Sequence, residues 1–195
     1  MRRLQFREIF LVGTIVGRML ATGSNSSAAG LPPGKQAVFL ARVIAYDSNL
    51  KDRVGPVVNI AILALKADKE SERMSEDVYR AFRPLESSTL SGLPVQVSRA
   101  FFSGEDALEQ VIRQGGIDTI YVCSGLDGSL AAIKRVAHKL SVLTIGSDEA
   151  QVNLGLSLGV FEMDGKNSII VNLDASREEG VTFGPELLRL ATVIR

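Results

Sequence analysis

Nine consecutive residues, Val57 to Leu65 (VVNIAILAL), carry no charge and a single side-chain amide. A run this short and this apolar has no polar face to offer to water. A strand made from it must be covered on both sides, as the inner strands of a parallel sheet are. Thr119 to Cys123 (TIYVC) and Val142 to Ile145 (VLTI) repeat the pattern. Between these runs lie segments of helical period. Met74, Val78, Ala81 and Phe82 mark one helical face that Pro84 closes. Leu108, Val111 and Ile112 lead to Gly115-Gly116, and Leu130, Ile133, Val136, Ala137 and Leu140 form a third face. Ser103 with Asp106 reads as a capping box and Asp127 as an N-cap. Strands alternating with helices in this way predict an α/β fold, a mainly parallel sheet with helices on both faces.

The ends modify that core. Lys35 to Tyr46 reads as a further helix, followed by the turn residues Asp47-Ser48-Asn49 and a solvated charge run, Lys51-Asp52-Arg53. Val95, Val97, Arg99 and Phe101 alternate with Gln96, Ser98 and Ala100, which suits an edge strand. Near the C-terminus, Leu158 to Met163 and Ser168 to Leu173 flank Asp164-Gly165, a hairpin signal, so an antiparallel hairpin closes the sheet. Asp174 to Glu179 reads as one helical turn ending at Gly180. A final amphipathic helix is predicted from Pro185 onward, with Leu187, Leu188, Ala191 and Ile194 inward.

The chain has 195 residues, 46% hydrophobic and 23% charged, which fits one domain of ordinary core size. Its 22 basic and 22 acidic side chains cancel, leaving no field to draw in nucleic acid. The lone Cys123 excludes an internal disulfide, and the lone His138 argues against a histidine-rich metal site or a histidine-dependent triad. No cofactor is called for. Residues 1–29 have the three-part plan of a secretory signal peptide: Arg2, Arg3 and Arg7, then an apolar run from Ile9, then small residues with cleavage after Ala28 or Ala29. The apolar run is shorter than the roughly 20 residues a bilayer span needs. This leaves 30–195 as a single exported domain, with a misassigned start or a disordered cytosolic tail as the alternative.

In open α/β sheets ligands gather at the carboxyl ends of the strands. Here those ends carry Ser124, Gly125 and Asp127 on one loop and Gly146, Asp148 and Glu149 on the next. These six are candidate ligand-binding residues, although turn-making and capping account for the same residue types. Asp148 and Glu149 are the one adjacent carboxylate pair on such a loop, yet no nucleophile, base or oxyanion-hole pattern accompanies them, so no catalytic residue is assigned. His138 sits near a helix C-terminus, where a surface role suits it, and Cys123 reads as a small core residue. The first helix is apolar over more than one face. Phe39, Val43 and Tyr46 are its candidate contacts with a partner or a second copy.

The ordered segments KQAVFLARVIAYDSNLK, NIAILAL, LSGLPVQV, TIYVCSGLDGSLAAIK, LTIGSDEA, IIVNLDASREEG and FGPELLRLATVI resemble the YfiR-like family of exported bacterial regulatory proteins over about Lys35 to Ile194. In the resembling subgroup the first helix ends in a tyrosine-aspartate segment, here Tyr46-Asp47. The resemblance implies a periplasmic, non-enzymatic protein that restrains a membrane diguanylate cyclase or similar sensor by binding its periplasmic part, commonly as a homodimer. Two departures narrow what carries over. Cys123 has no second cysteine for redox sensing, and Gly184-Pro185 replaces a serine pair at the start of the last helix. A small-ligand receptor of solute-binding type is the alternative, and a hydrolase or transferase using Asp148 or Glu149 a third reading.

Overall fold

The computed structural model describes residues 31–163 and 165–195. The segment read as a leader, residues 1–29, lies outside the described residues, as does Asp164 of the hairpin turn. Eight strands form one sheet in the order β2-β3-β1-β4-β5-β6-β7-β8. The inner run consists of β3 (Leu93–Phe102), β1 (Val58–Leu65), β4 (Thr119–Val122) and β5 (Leu143–Gly146), all parallel. β6 (Leu158–Met163) joins β5 in parallel through a single residue pair. The hairpin then turns back into β7 (Lys166–Asn172), antiparallel to β6. Two-residue β2 (Thr89–Leu90) pairs antiparallel with the start of β3. Among the described residues no strand lies beside the outer side of β3 beyond Pro94, and the Glu86 carboxylate accepts from the Val97 N–H at 3.1 Å. The edge character predicted for this strand is retained over most of its length.

Alternation along the apolar runs sorts them into two cores. Val58, Ile60 and Ile62 face α1 (Pro33–Ile44) and α3 (Lys69–Phe82), together with Val95, Tyr121, Leu143 and Val160. Ala61 and Leu63 face the other way, toward Leu108 and Ile112 of α4 (Glu105–Gly115) and Ile133 and Val136 of α5 (Leu130–Leu140). Burial on both faces is what the uninterrupted VNIAILAL run requires. α6 (Glu149–Asn153) covers the hairpin, where Val152 meets Phe161 and Ile170. Gly159 is needed at that contact. A Cβ there would lie 2.1 Å from Phe161 Cζ and 2.8 Å from Val152 Cγ2. Gly159→Ala is therefore expected to cost about 1–3 kcal/mol by overpacking, read as a lowered urea midpoint with an unchanged slope.

Four local expectations change. The helix expected from about Met74 starts at Lys69, because Asp68 caps it by accepting from the Ser71 N–H at 2.8 Å. No capping box forms at Ser103 and Asp106: Gly104 is the N-cap of α4, with no side-chain bond. Asp127 does not cap α5 either. It opens a 3-10 turn, Asp127–Ser129, and α5 begins after it. The closing helix is one turn only, α8 (Pro185–Leu188), and residues 192–194 become β8 (Thr192–Ile194), parallel to β7. Leu190, which a longer helix would have carried, is 70% exposed.

The largest correction concerns the segment after α1. Arg53, read as part of a solvated charge run, has a side chain only 5% exposed and pairs at 3.2 Å with the fully buried Asp47. Its Nη1 donates to the carbonyls of Asp118 at 2.8 Å and Ser141 at 3.3 Å. Asp47 Oδ1 accepts from the backbone N–H of Asn49 and of Thr182. The short helix α2 (Leu50–Arg53) thus clasps the amino ends of β4 and β5 to the loop that follows α7 (Leu173–Glu178).

Candidate functional site

At the carboxyl end of the sheet the β4 and β5 loops lie side by side, and one buried amide joins them. Gln151, on α6, donates from Nε2 to the Cys123 carbonyl at 3.2 Å and to Asp127 Oδ1 at 3.3 Å. Its Oε1 accepts from the Ser147 N–H at 2.9 Å and from the Ser147 hydroxyl at 3.2 Å. Asp148 caps α6 by accepting from the Gln151 N–H at 3.0 Å. Gly125 has φ +86°, and a Cβ there would come to 3.7 Å from Ser71. Gly146 is close-packed, with Gln151 and Val152 side-chain atoms 3.2 Å from where its Cβ would be. The geometry gathers Asp127, Gly146 and Asp148 around Gln151, which sequence reasoning missed, whereas Ser124 and Gly125 lie against the α3 segment. Glu149 stands apart, exposed on the first turn of α6.

Much of the polarity expected to meet a ligand is therefore spent on structure, Asp148 as a cap and Asp127 as a bridge. The two carboxylates of the 148–149 pair have separate surroundings and share no proton donor or acceptor. Gln151→Leu is expected to cost about 2–4 kcal/mol, because it leaves the Ser147 N–H and the Cys123 carbonyl without their partner. Thermal unfolding measures this directly.

Of the six, Ser124 lines a cavity. A space of about 250 Å³ lies between α1, α3 and the ends of β4 and β5, lined in part by Gln36, Arg73, Met74, Tyr121, Ser124 and Ser147. Its inner wall is a buried polar pair: the Tyr121 hydroxyl donates to Gln36 Oε1 at 2.9 Å, and Gln36 Nε2 donates to the Val160 carbonyl at 3.1 Å. Ser124 directs both its N–H and its hydroxyl at Met74 Sδ. The signals for these groups were a glutamine on the apolar side of α1 and a methionine among the core positions of α3, neither of which identifies a site before the fold brings them together.

Cys123 is buried beside this site, and desolvation pushes its thiol up to about 12. It is a packing residue without thiolate character. His138 is half-buried near the end of α5, with Nδ1 3.0 Å from Glu178 Oε2. Among the described residues no cluster of three histidine, cysteine or carboxylate side chains has the spacing to hold a metal. No described helix is long and apolar enough to cross a membrane.

On α1 the three candidate contact residues separate. Val43 is 2% exposed and belongs to the core with Leu40 and Ile44, so it is not part of the helix surface. Phe39 is half-buried against the core, and Tyr46 is 42% exposed just past the helix end. Val38, 48% exposed, lies on the same outer stripe, since residues 38, 42 and 46 follow at intervals of four.

Sheet order and helical layers on both faces define a doubly wound α/β fold. The family model described as YfiR/HmsC-like matches residues 37–192, from within α1 to the start of β8, and the chain belongs to that family. Three solved structures share the fold. A conserved domain protein from Vibrio cholerae has a TM-score of 0.60 at 14% identity, with 85% of this chain and 61% of that one covered. The ABC domain from Streptococcus pneumonia, crystallised in complex with L-Trp, has a TM-score of 0.56 at 15% identity, covering 84% and 62%. A substrate-binding protein with adhesive properties from Clostridium difficile, in a ligand-free open form, has a TM-score of 0.51 at 15% identity, covering 75% and 57%. The chain thus spans about three fifths of these proteins, and at such identities the likeness is one of fold alone. No curated protein sequence matches it.

Proposed function

We propose that this protein is a non-enzymatic periplasmic regulator that binds the periplasmic part of a membrane sensor, such as a diguanylate cyclase, and restrains it. Membership of the YfiR/HmsC-like family over residues 37–192 carries this reading. In this reading residues 1–29 direct export and are removed, leaving the domain from residue 30 in the periplasm. Restraint requires differential affinity: the regulator shifts the sensor toward its inactive state only as far as it binds that state more tightly. The surface assigned to docking is the outer stripe of α1, Val38, Phe39 and Tyr46, whose apolar area a partner would remove from water. The same stripe serves self-association as a homodimer in the free protein.

The test is a double variant, Val38→Asp with Tyr46→Asp, which leaves the buried side of α1 intact. It is expected to remain folded, to sediment as a monomer, and to release the cyclase so that cellular cyclic-di-GMP rises. Unchanged cyclic-di-GMP at an unchanged protein level would remove α1 from the docking surface. The cavity beside Ser124 favours a second, compatible reading as a small-ligand receptor, because a ligand there could bias docking.

A further inference from the structure

The cavity between α1, α3 and the ends of β4 and β5 holds an arrangement that docking through α1 does not use. Ser124 places two donors on one atom: its N–H lies 3.3 Å and its hydroxyl 3.2 Å from Met74 Sδ. A thioether sulfur is a weak acceptor, and the unbranched methionine side chain moves aside easily. A main-chain and a side-chain donor converging on one point suit a carboxylate oxygen far better, since bonds to an ionised acceptor are roughly twice as strong. The sulfur therefore occupies the position of a stronger acceptor.

The charges at the cavity mouth have the matching pattern. Glu70, Arg73 and Asp77 follow one another along the face of α3 that lines the space. Among the described residues, none of the ion pairs includes any of the three, although Glu76 on the adjoining face pairs with both Arg80 and Arg99. One cation flanked by two anions, above an apolar floor that includes Leu31 and Val78, complements a molecule with one negative group, one positive group and a short hydrocarbon part.

We propose that this cavity binds a small zwitterion with a short aliphatic side chain. Its carboxylate displaces Met74 Sδ from Ser124 and is met by Arg73, and its ammonium is held by Glu70 and Asp77. A plain carboxylate would bring no cation to Glu70 and Asp77, and a plain amine would leave Met74 Sδ on the Ser124 donors and give Arg73 no anion. The rim charges are exposed, so each contact is screened and the affinity is modest.

Calorimetric titration of the purified protein tests this with three probes at millimolar concentration: leucine, 4-methylpentanoate (leucine without its amine) and 3-methylbutylamine (leucine without its carboxylate). Leucine is expected to bind saturably, and each analogue at least about tenfold more weakly. Arg73→Gln and Ser124→Ala are each expected to weaken leucine by about tenfold while the unliganded melting temperature stays close to wild type. Met74→Leu, which removes the competing sulfur, is expected to bind leucine as well as or better than wild type. The absence of saturable leucine binding, equal binding of either analogue, or full affinity in Arg73→Gln would each overturn the proposal. Sensor docking is measured separately with the α1 variants, so the two readings fail independently.

Discussion

The protein is expected to lose stability as the pH rises from about 5 to about 8, with one residue responsible for most of the loss. Glu179 is fully buried at the end of α7, where its carboxylate accepts from the Thr144 N–H at 2.8 Å, the Thr144 hydroxyl at 2.6 Å and the Ser157 hydroxyl. Among the described residues no cation pairs with it, and Arg53, the charge acting on it, is held by Asp47. Burial opposes ionisation and outweighs the three donors, pushing the Glu179 carboxyl up from the ordinary 4.5 to about 8. The unfolded chain therefore releases this proton near pH 4.5 while the folded protein keeps it until about 8. Below that window the group contributes nothing. Within it stability falls with rising pH, and above it the full cost remains, on the order of 5 kcal/mol at 1.36 kcal/mol per pKa unit. Glu179→Gln keeps an acceptor for the Thr144 N–H and places a donor toward the hydroxyls, so it is expected to abolish the slope. Urea midpoints at about pH 5.5 and about pH 8.5 compare the two proteins. A wild type as stable at the higher pH as at the lower, or a variant with the same slope, would contradict this assignment.

Removing the guanidinium of the α2 clasp is expected to have an effect of similar size. Arg53→Met leaves the Asp47 carboxylate buried without its cation and frees the carbonyls of Asp118 and Ser141. Breaking one side of a buried pair typically costs about 3–5 kcal/mol, because the remaining charge keeps its desolvation penalty. Asp47→Ala should be at least as damaging. It removes the partner of Arg53 and also the acceptor for the Asn49 and Thr182 N–H groups. For the same reason the double variant should not recover stability, unlike ion pairs that hydrophobic residues replace without loss. A loss below about 1 kcal/mol in Arg53→Met, the range of an exposed pair, would show that the clasp is solvated.

How much of this was legible in the sequence depends on how local each signal is. Val57–Leu65, Thr119–Cys123 and Val142–Ile145 could be read as buried strands because burial on both faces leaves its mark on every residue of the run. The hairpin could be read from Asp164-Gly165 because a turn preference is equally local. β8 could not. Leu187, Leu188, Ala191 and Ile194 have helical spacing, and only the free edge of β7, fixed elsewhere in the chain, makes Thr192–Ile194 a strand. Arg53 looked like one charge among three, since its partner Asp47 lies within a turn signal and its carbonyl acceptors are 65 and 88 residues away.

The candidate site divides along the same line. Ser124 and Gly146 could be named as candidates because a rule about strand ends points to loops. Gln151 was not, because its bridging role exists only once residues 24 and 28 positions away are brought beside it. Val43 was misplaced because a helix apolar on two sides does not show from its sequence which side the sheet takes. The Tyr46-Asp47 ending now has a physical basis, with Tyr46 at the surface and Asp47 anchoring the clasp.

Binding to a sensor is the proposed mode of action of this protein. Its most direct test is a titration of the purified protein, without residues 1–29, against the isolated periplasmic domain of a membrane diguanylate cyclase from the same cell. The expected result is a saturable complex that Val38→Asp with Tyr46→Asp weakens at least about tenfold and Glu149→Gln leaves unchanged. No complex with that domain, or equal affinity in the α1 double variant, would contradict the account.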